Sequence, residues 1–481
     1  MERLWDKGLL GKMLFVFNFK KVYLCSMATN RIELSADFVE QTKALFGEER
    51  YSRFSSALET EPVVSVRHNP AKRAADFSGE PVAWAADACY LDCRPLFTAD
   101  PLFHAGCYYV QEASSMFLEQ VVRQLIETPV TALDLCAAPG GKSTHLSQIL
   151  PNGSLLISNV FVRSRAFVLA ENIQKWGNAN NMVSNNAPKD FSTFNGMFDF
   201  ILIDAPCSGE GMFRKDSDAI GEWSRKNVDM CAERQKEIVQ QVWNSLKENG
   251  LLVYSTCTYN QEENEKNIDW ITKNFNAEIL HLRIENTWGI VENDYGYRFF
   301  PHKTKGEGFF ISVLRKKEAC NQLKIKQKPS QKAKIDLNNI LQDKEMFEVI
   351  QNNSFYYAVP KNHIEQILFL QKQLNVIHMG IPLYEQKGKD LIPQAGLALS
   401  KYFTRTSFPT CNLNYNDAIA FLQKEAIWCD APTKGFVAVC YNDIPLGWVK
   451  HLGNRCNNLY PAEWRIRSKN IQREALCLLD I

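Results

Sequence analysis

The chain has 481 residues, 45% of them hydrophobic and 11% aromatic, with 24 glycines and 19 prolines, an ordinary globular composition. At about 100 to 200 residues per domain, two to four domains are expected. Lys plus Arg (55) almost cancels Asp plus Glu (54), which excludes an overall basic field, so any nucleic-acid contact must come from local basic faces. The 14 cysteines include no C-x-x-C pair and no Cys/His cluster at zinc-ligand spacing, which predicts no metal site and points to reduced, cytoplasmic thiols. No apolar run approaches the roughly 18 residues of a spanning helix, so a soluble chain with no membrane partner is expected.

Residues 1–26 mix Leu, Phe and Val with Arg3, Lys12, Lys20 and Lys21. Asp6, the charges inside the apolar stretch and the lack of a small-residue cleavage site argue against a signal peptide. Met27 precedes an ordinary domain start, and residues 1–29 therefore read as an upstream or non-native extension. From Ser35 the chain reads as a capped helix with acids in its first turn, opening an α+β unit over residues 30–104. Within it Val63-Val64-Ser65-Val66 predicts a strand running into Arg67-His68-Asn69-Pro70, where proline stops the element and leaves polar side chains projecting.

Over residues 105–315 short apolar strands alternate with longer amphipathic stretches, the pattern of a parallel sheet covered by helices on both faces. Strands are expected at residues 132–136, 155–158, 200–204 and 251–256. Their carboxyl ends should border the ligand crevice of a Rossmann-like α/β domain. Residues 316–334, with Lys316, Lys317, Lys324, Lys326, Lys328, Lys332 and Lys334, read as a basic linker. An intermediate α/β region over residues 335–405 precedes a small β-rich module over 406–481, where residues 435–440 and 444–450 predict paired strands.

Three segments carry chemistry. Leu133-Asp134-Leu135-Cys136-Ala137-Ala138-Pro139-Gly140-Gly141-Lys142-Ser143-Thr144 is a strand, a small-residue loop and a helix start, a place where backbone can approach a ligand closely. A phosphate-binding P-loop is the rival reading, but Cys136 stands where that motif requires its first glycine. Ile203-Asp204-Ala205-Pro206-Cys207-Ser208-Gly209-Glu210-Gly211 sets an acid and a thiol at the mouth of the next strand. Tyr254-Ser255-Thr256-Cys257-Thr258-Tyr259 sets a second thiol at another. A lone buried cysteine is usually an inert small hydrophobe. Two thiols at neighbouring strand ends, beside an acid and a ligand loop, are not.

These segments, together with Tyr108-Tyr109-Val110-Gln111-Glu112-Ala113-Ser114-Ser115, resemble the Nop/Sun family of RNA cytosine-5 methyltransferases, and the order of elements resembles its RsmF-type members. The resemblance implies a Rossmann-like domain dependent on S-adenosyl-L-methionine, with Cys136, Ala137, Ala138, Pro139, Gly140, Gly141, Lys142 and Asp204 at the cofactor. It implies Cys257 as the nucleophile and Cys207 as the residue assisting ring-proton removal and enzyme release. Asp204 would hold the cytosine edge and Lys142 would lie near the methyl donor and base. It also implies an RNA-binding N-terminal unit including Arg67 and Asn69, a PUA-like RNA-binding module around Gly447-Trp448, and ribosomal RNA or the small ribosomal subunit as partner of a monomer. The chemistry suits the thiol, because a thiolate adding at ring carbon 6 makes carbon 5 electron-rich enough to take a methyl group.

Two positions depart from the family pattern. Val160 and Ala187 stand where it has acids at the cofactor, with Asn159 or Asp190 as partial substitutes. Losing two charged hydrogen bonds of about 1.5 to 3 kcal/mol each would weaken cofactor binding roughly a hundred- to ten-thousand-fold. A catalytically weakened RNA-binding or ribosome-assembly protein is therefore the alternative reading, and a transfer-RNA cytosine-5 methyltransferase a third.

Overall fold

The apolar runs assemble into a ten-stranded sheet. Its strands are β1 (Thr131–Asp134), β2 (Leu155–Asn159), β3 (Asn181–Ser184), β4 (Phe198–Asp204), β5 (Leu246–Thr256), β6 (Ala277–Ile279), β7 (Val291–Asn293), β8 (Gly296–Phe299), β9 (Phe309–Lys316) and β10 (Val376–Met379). The spatial order is β7-β8-β9-β5-β4-β1-β2-β3-β10, with β6 pairing with β9. The five strands from β3 to β5 in that order are parallel, as predicted, while β9 and β10 run antiparallel to their neighbours. This computed structural model describes residues 33–72, 79–323, 325, 335–468 and 471. The predicted extension, residues 1–29, and linker residues Lys324, Lys326, Lys328, Lys332 and Lys334 lie outside the described residues.

Period-two alternation sorts the central strands onto two apolar layers. Leu133, Ile201, Ile203 and Leu252 face one layer with Ile238, Val239 and Val242 of the helix Arg225–Val242. Ala132, Phe200, Leu202 and Val253 face the other, with Val121, Val122 and Leu146. Each buried aliphatic side chain contributes about 1.5 to 3 kcal/mol of transfer free energy. That double burial makes β1, β2 and β4 near-continuous apolar runs in the sequence. It also holds their carboxyl ends at fixed spacing along one edge.

The N-terminal unit opens as expected on the helix Ala36–Phe46, where the Ser35 hydroxyl accepts the Phe38 amide at 3.2 Å. The strand Val64–His68 is central in a four-stranded antiparallel sheet. The polar residues after it do not project to solvent. Arg67, 1% exposed, donates to Gln111, Gln148, the Gly141 carbonyl and Thr144, and its guanidinium lies 4.3 Å from the Trp176 ring centroid. Asn69 donates to the Gly106 and Trp176 carbonyls. The expected RNA contacts at Arg67 and Asn69 are thus corrected. A buried guanidinium needs acceptors on every side, and here they come from Gln111 and from the helix Gly141–Ile149 that follows the ligand loop.

The intermediate region is not a separate layer. Four strands between Phe347 and Pro393 form their own antiparallel sheet, but β10 leaves them to cover the β3 edge of the central sheet. An open edge strand is a template for unwanted pairing, and β10 removes it. The last four-stranded sheet spans Thr410 to Asn458 and includes the predicted pair Gly435–Tyr441 and Ile444–His451. Trp448, 1% exposed, donates to the Gln394 carbonyl, and Gly447, at φ +156, leaves room for the Phe421 ring. Among the described residues no helix is long and apolar enough to cross a membrane.

Candidate active site

The loop after β1 bends into the helix Gly141–Ile149 through Gly140, at φ +120, where a side chain would be strained and would press on Leu169. A Cβ at Gly141 would stand 3.4 Å from the Tyr109 ring. A cavity of about 190 Å³ opens here, lined by Cys136, Ala137, Ala138, Pro139, Gly141, Lys142 and Asp204. Gly140, the remaining position predicted at the cofactor, shapes the turn without lining the cavity. Tyr109, Gln111, Glu112 and Ser115 of the fourth quoted segment complete the wall. A larger cavity of 620 Å³ near Asn152, Trp176 and Lys401 lies by the loop entering β2, away from both thiols.

At the floor of the smaller cavity, Asp134 is fully buried. Its Oδ2 accepts the Ser143 hydroxyl at 2.6 Å, while Oδ1 has no partner among the described residues. Burial pushes this carboxyl up to about 7 against the Ser143 hydrogen bond, and the Asp204 charge adds to the rise. A buried acceptor left open inside a ligand cavity is a place for a donor that the protein does not itself supply.

β4 and β5 pair Asp204 with Ser255, which sets the two thiol-bearing loops side by side. The Cys207 and Cys257 sulfurs are 3.2 Å apart. Asp204 Oδ1 accepts the Ser255 hydroxyl at 2.8 Å, and its Oδ2 lies 2.9 Å from Lys142 Nζ. Burial disfavours the Lys142 ammonium, but the Asp204 charge and hydrogen bond outweigh it and hold the lysine above its ordinary range. The hydrogen bond to Cys257, then burial, push the Cys207 thiol well up, and either sulfur can be the donor of the pair. The twelve described cysteines form no disulfide, and among the described residues no cluster of three or more His, Cys, Asp or Glu can hold a metal ion.

Sequence reading gave no role to Glu210, Glu263 and Asn260, which tie the two loops together. Glu210 is fully buried and accepts the Tyr259 and Asn260 amides at 2.7 and 2.9 Å, as well as the Trp223 indole. Glu263 accepts the Ser208 amide at 3.0 Å, and Asn260 Nδ2 reaches both carboxylates. In the sequence Gln261-Glu262-Glu263 reads as a solvated charge run, so nothing local signals this burial.

The departures from the family pattern also have a geometry. Val160, 4% exposed, packs with Ala137, Ala138, Leu169 and Val183. Asn159 cannot substitute for a cofactor acid there. Its amide group donates to the Leu135 and Asn186 carbonyls, and its oxygen accepts Ser184 and the Asn186 amide. Asp190 is turned back on its own loop, accepting the Ala187 amide and the Asn186 side chain. Phe161, two residues past the end of β2, is 69% exposed.

Three family models match in the order of the described elements. The N-terminal domain of 16S rRNA methyltransferase RsmF matches residues 34–113, 16S rRNA methyltransferase RsmB/F matches 126–315, and the methyltransferase RsmF PUA domain matches 408–466. Ribosomal RNA small subunit methyltransferase F of Aliivibrio fischeri is 30% identical over 422 residues, covering 80% of this chain and 85% of that protein. The chain belongs to the RsmF family of ribosomal RNA methyltransferases. The RsmF proteins of Escherichia coli K12, 30% identical over 416 residues, and Erwinia tasmaniensis, 27% over 475 residues, align over 80% and 90% of this chain and 84% and 97% of their own lengths. Among solved structures, a methyltransferase homologue from Pyrococcus horikoshii is 28% identical with a TM-score of 0.52, covering 60% of this chain and 96% of that one. NSun6 of the same organism, solved with SFG, shares the fold at 21% identity and a TM-score of 0.50, over 59% of this chain and 98% of that one. This RsmF-family chain is therefore a methyltransferase with an N-terminal module before its catalytic domain and a PUA module after it in the chain.

Proposed function

We propose that the chain methylates carbon 5 of a cytosine in small-subunit ribosomal RNA, using S-adenosylmethionine and a transient bond from Cys257. The observation that carries the reading is the 3.2 Å pair of thiols beside the Lys142–Asp204 ion pair, at the carboxyl ends of adjacent parallel strands. The loop fits the cofactor at one end, through the open Asp134 acceptor and the close backbone approach at Gly140 and Gly141. Residues 136–142 and Asp204 would hold it. S-adenosylmethionine supplies an electrophilic methyl group when bound.

The remaining steps belong to the protein. Cys257, as a thiolate beside Cys207, adds to ring carbon 6 and makes carbon 5 the nucleophile. Asp204 and Lys142 fix the base edge and steady the charge that develops on it. After transfer Cys207, having given its own proton to solvent, takes the carbon 5 proton, and the Cys257 bond to carbon 6 breaks to restore the ring and the thiolate. A base inside a duplex is unreachable, so the target is single-stranded or flipped out. We also propose that the chain works as a monomer in the cytoplasm, with its outer modules holding the RNA backbone.

The test is methyl transfer from labelled S-adenosylmethionine to small-subunit ribosomal RNA and to transfer RNA, with nucleosides separated afterwards. 5-Methylcytidine from the ribosomal RNA supports the proposal, and label in transfer RNA alone moves the substrate. A second reading, an RNA-binding protein with weakened cofactor affinity, is favoured by Val160, Ala187 and the committed Asn159. Calorimetry separates the two, because micromolar S-adenosylmethionine binding supports the enzyme and millimolar binding the weakened protein.

A further inference from the structure

Cys207 has to be aimed. The Ala205 amide still donates to the Ser255 carbonyl of β5 at 2.8 Å, and residues 206–208 then leave the strand as a loop. Two buried side chains grip it on either side of the thiol. Gln235 Nε2, from the helix Arg225–Val242, donates to the Pro206 carbonyl at 3.0 Å. Glu263 Oε2 accepts the Ser208 amide at 3.0 Å and the same Gln235 amide at 2.7 Å. Both peptide groups flanking Cys207 are thereby fixed to one carboxylate and its amide partner.

Glu263 is fully buried, and its hydrogen-bond partners are the Ser208 amide, Gln235 and Asn260, all neutral. Its own backbone is held as well, with its amide donating to Asn260 Oδ1 at 2.8 Å and its carbonyl accepting the Tyr254 hydroxyl at 2.7 Å. A carboxylate buried among neutral donors costs several kcal/mol relative to an apolar packing solution, so its retention calls for a role. Both of its oxygens accept, from the Ser208 amide, Gln235 and Asn260, and an amide in its place would turn an N–H toward one of those donors. Only a carboxylate holds all three at once behind the Cys207 loop.

We infer that Glu263 is a positioning residue for Cys207, aiming the sulfur at carbon 5 for the release step. The inference rests on the proposed reaction. The two groups also sense each other, the Glu263 charge adding to the rise that the Cys257 hydrogen bond and burial give the Cys207 thiol. That rise keeps the sulfur protonated at rest, and Cys207 gives its own proton to solvent before it takes the one on carbon 5. Burial and the neighbouring Glu210 charge raise the Glu263 carboxyl too, and the Ser208, Asn260 and Gln235 hydrogen bonds oppose that rise.

The test uses the full chain and Glu263→Gln, which removes the charge and turns one of the two acceptor oxygens into a donor. In a Cys257→Ala background, without RNA or cofactor, alkylation of Cys207 by iodoacetamide is followed against pH by peptide mass spectrometry. The midpoint should fall in the Gln variant, giving about threefold faster alkylation below the midpoint. With Cys257 present, the Gln variant should accumulate the covalent RNA adduct and turn over roughly tenfold more slowly, and Glu263→Asp should recover part of the loss. An unmoved midpoint overturns the inference, as does an adduct level equal to that of an adduct-forming wild type. If the wild-type chain forms no adduct, the proposed reaction fails, and the midpoint alone decides Glu263. Should Glu263→Gln not fold, both readings are made on Gln235→Met, which removes the donor to Pro206 and one partner of the carboxylate.

Discussion

The two halves of the crevice are built differently. Around the thiols, Asp204, Glu210, Glu263 and Asn260 are saturated by hydrogen bonds from the protein itself. Around the loop after β1, Asp134 keeps an open acceptor, Val160 is apolar, and Asn159 and Asp190 are spent on neighbouring backbone. The contrast separates a reacting centre organised in advance from a ligand loop that is completed by what it binds. Preorganised polar groups cost no reorganisation at the moment of reaction, which is where the thiol half spends its hydrogen bonds.

The largest effect should break the thiol half outright. Cys257→Ala should abolish methyl transfer and every covalent adduct, measured with labelled cofactor and denaturing gels. Cys207→Ala should act differently, trapping the adduct while turnover stops, because the first bond forms and does not resolve. Unchanged turnover in Cys207→Ala would remove that residue from the mechanism.

Next comes the strut between the N-terminal sheet and the ligand-loop helix. Arg67→Ala should cost about 3 to 5 kcal/mol in urea unfolding, since it leaves the acceptors of Gln111, Gln148 and Thr144 buried without their donor. A loss below about 1 kcal/mol would mean that this contact is solvated. A comparable change in binding sharpens the other half. Val160→Glu with Ala187→Asp should tighten S-adenosylmethionine binding by roughly a hundredfold or more in calorimetry. The same pair should lower stability without cofactor by about 2 kcal/mol, because Val160 sits in an apolar cluster.

The smallest effect is a pH dependence. Burial raises the Asp134 carboxyl to about 7, so its contribution to stability is full below the ordinary Asp range and is lost as pH rises through about 7. Asp134→Asn removes that loss. Its stability relative to wild type should rise by about 2 kcal/mol between about pH 5 and pH 8, and a constant difference would show that Asp134 is not buried as a carboxyl.

What the sequence disclosed follows the same division. β1, β2, β4 and β5 were legible because burial on both faces writes continuous apolar runs, and the small-residue loop and the two thiols stand at their ends. Long-range partnerships were not. β10 pairs Met379 with Met182, and no local pattern in Val376–Met379 marks an edge partner that far back in the chain. Arg67 looked like a projecting cation because its acceptors arrive from residues 111, 141, 144 and 148. Glu210 and Glu263 were given no role for the same reason, since burial of a charge is decided by elements that are distant in sequence.

The account depends most on a carbon–sulfur bond at Cys257. The direct measurement mixes the chain with S-adenosylmethionine and a small-subunit ribosomal RNA fragment carrying 5-fluorocytidine, which blocks proton loss at carbon 5. Nuclease and protease digestion then precede mass spectrometry. A methylated fluorocytidine attached to the peptide containing Cys257 is the predicted result. The same nucleoside on Cys207, or methylated RNA from a Cys257→Ala chain, would contradict it.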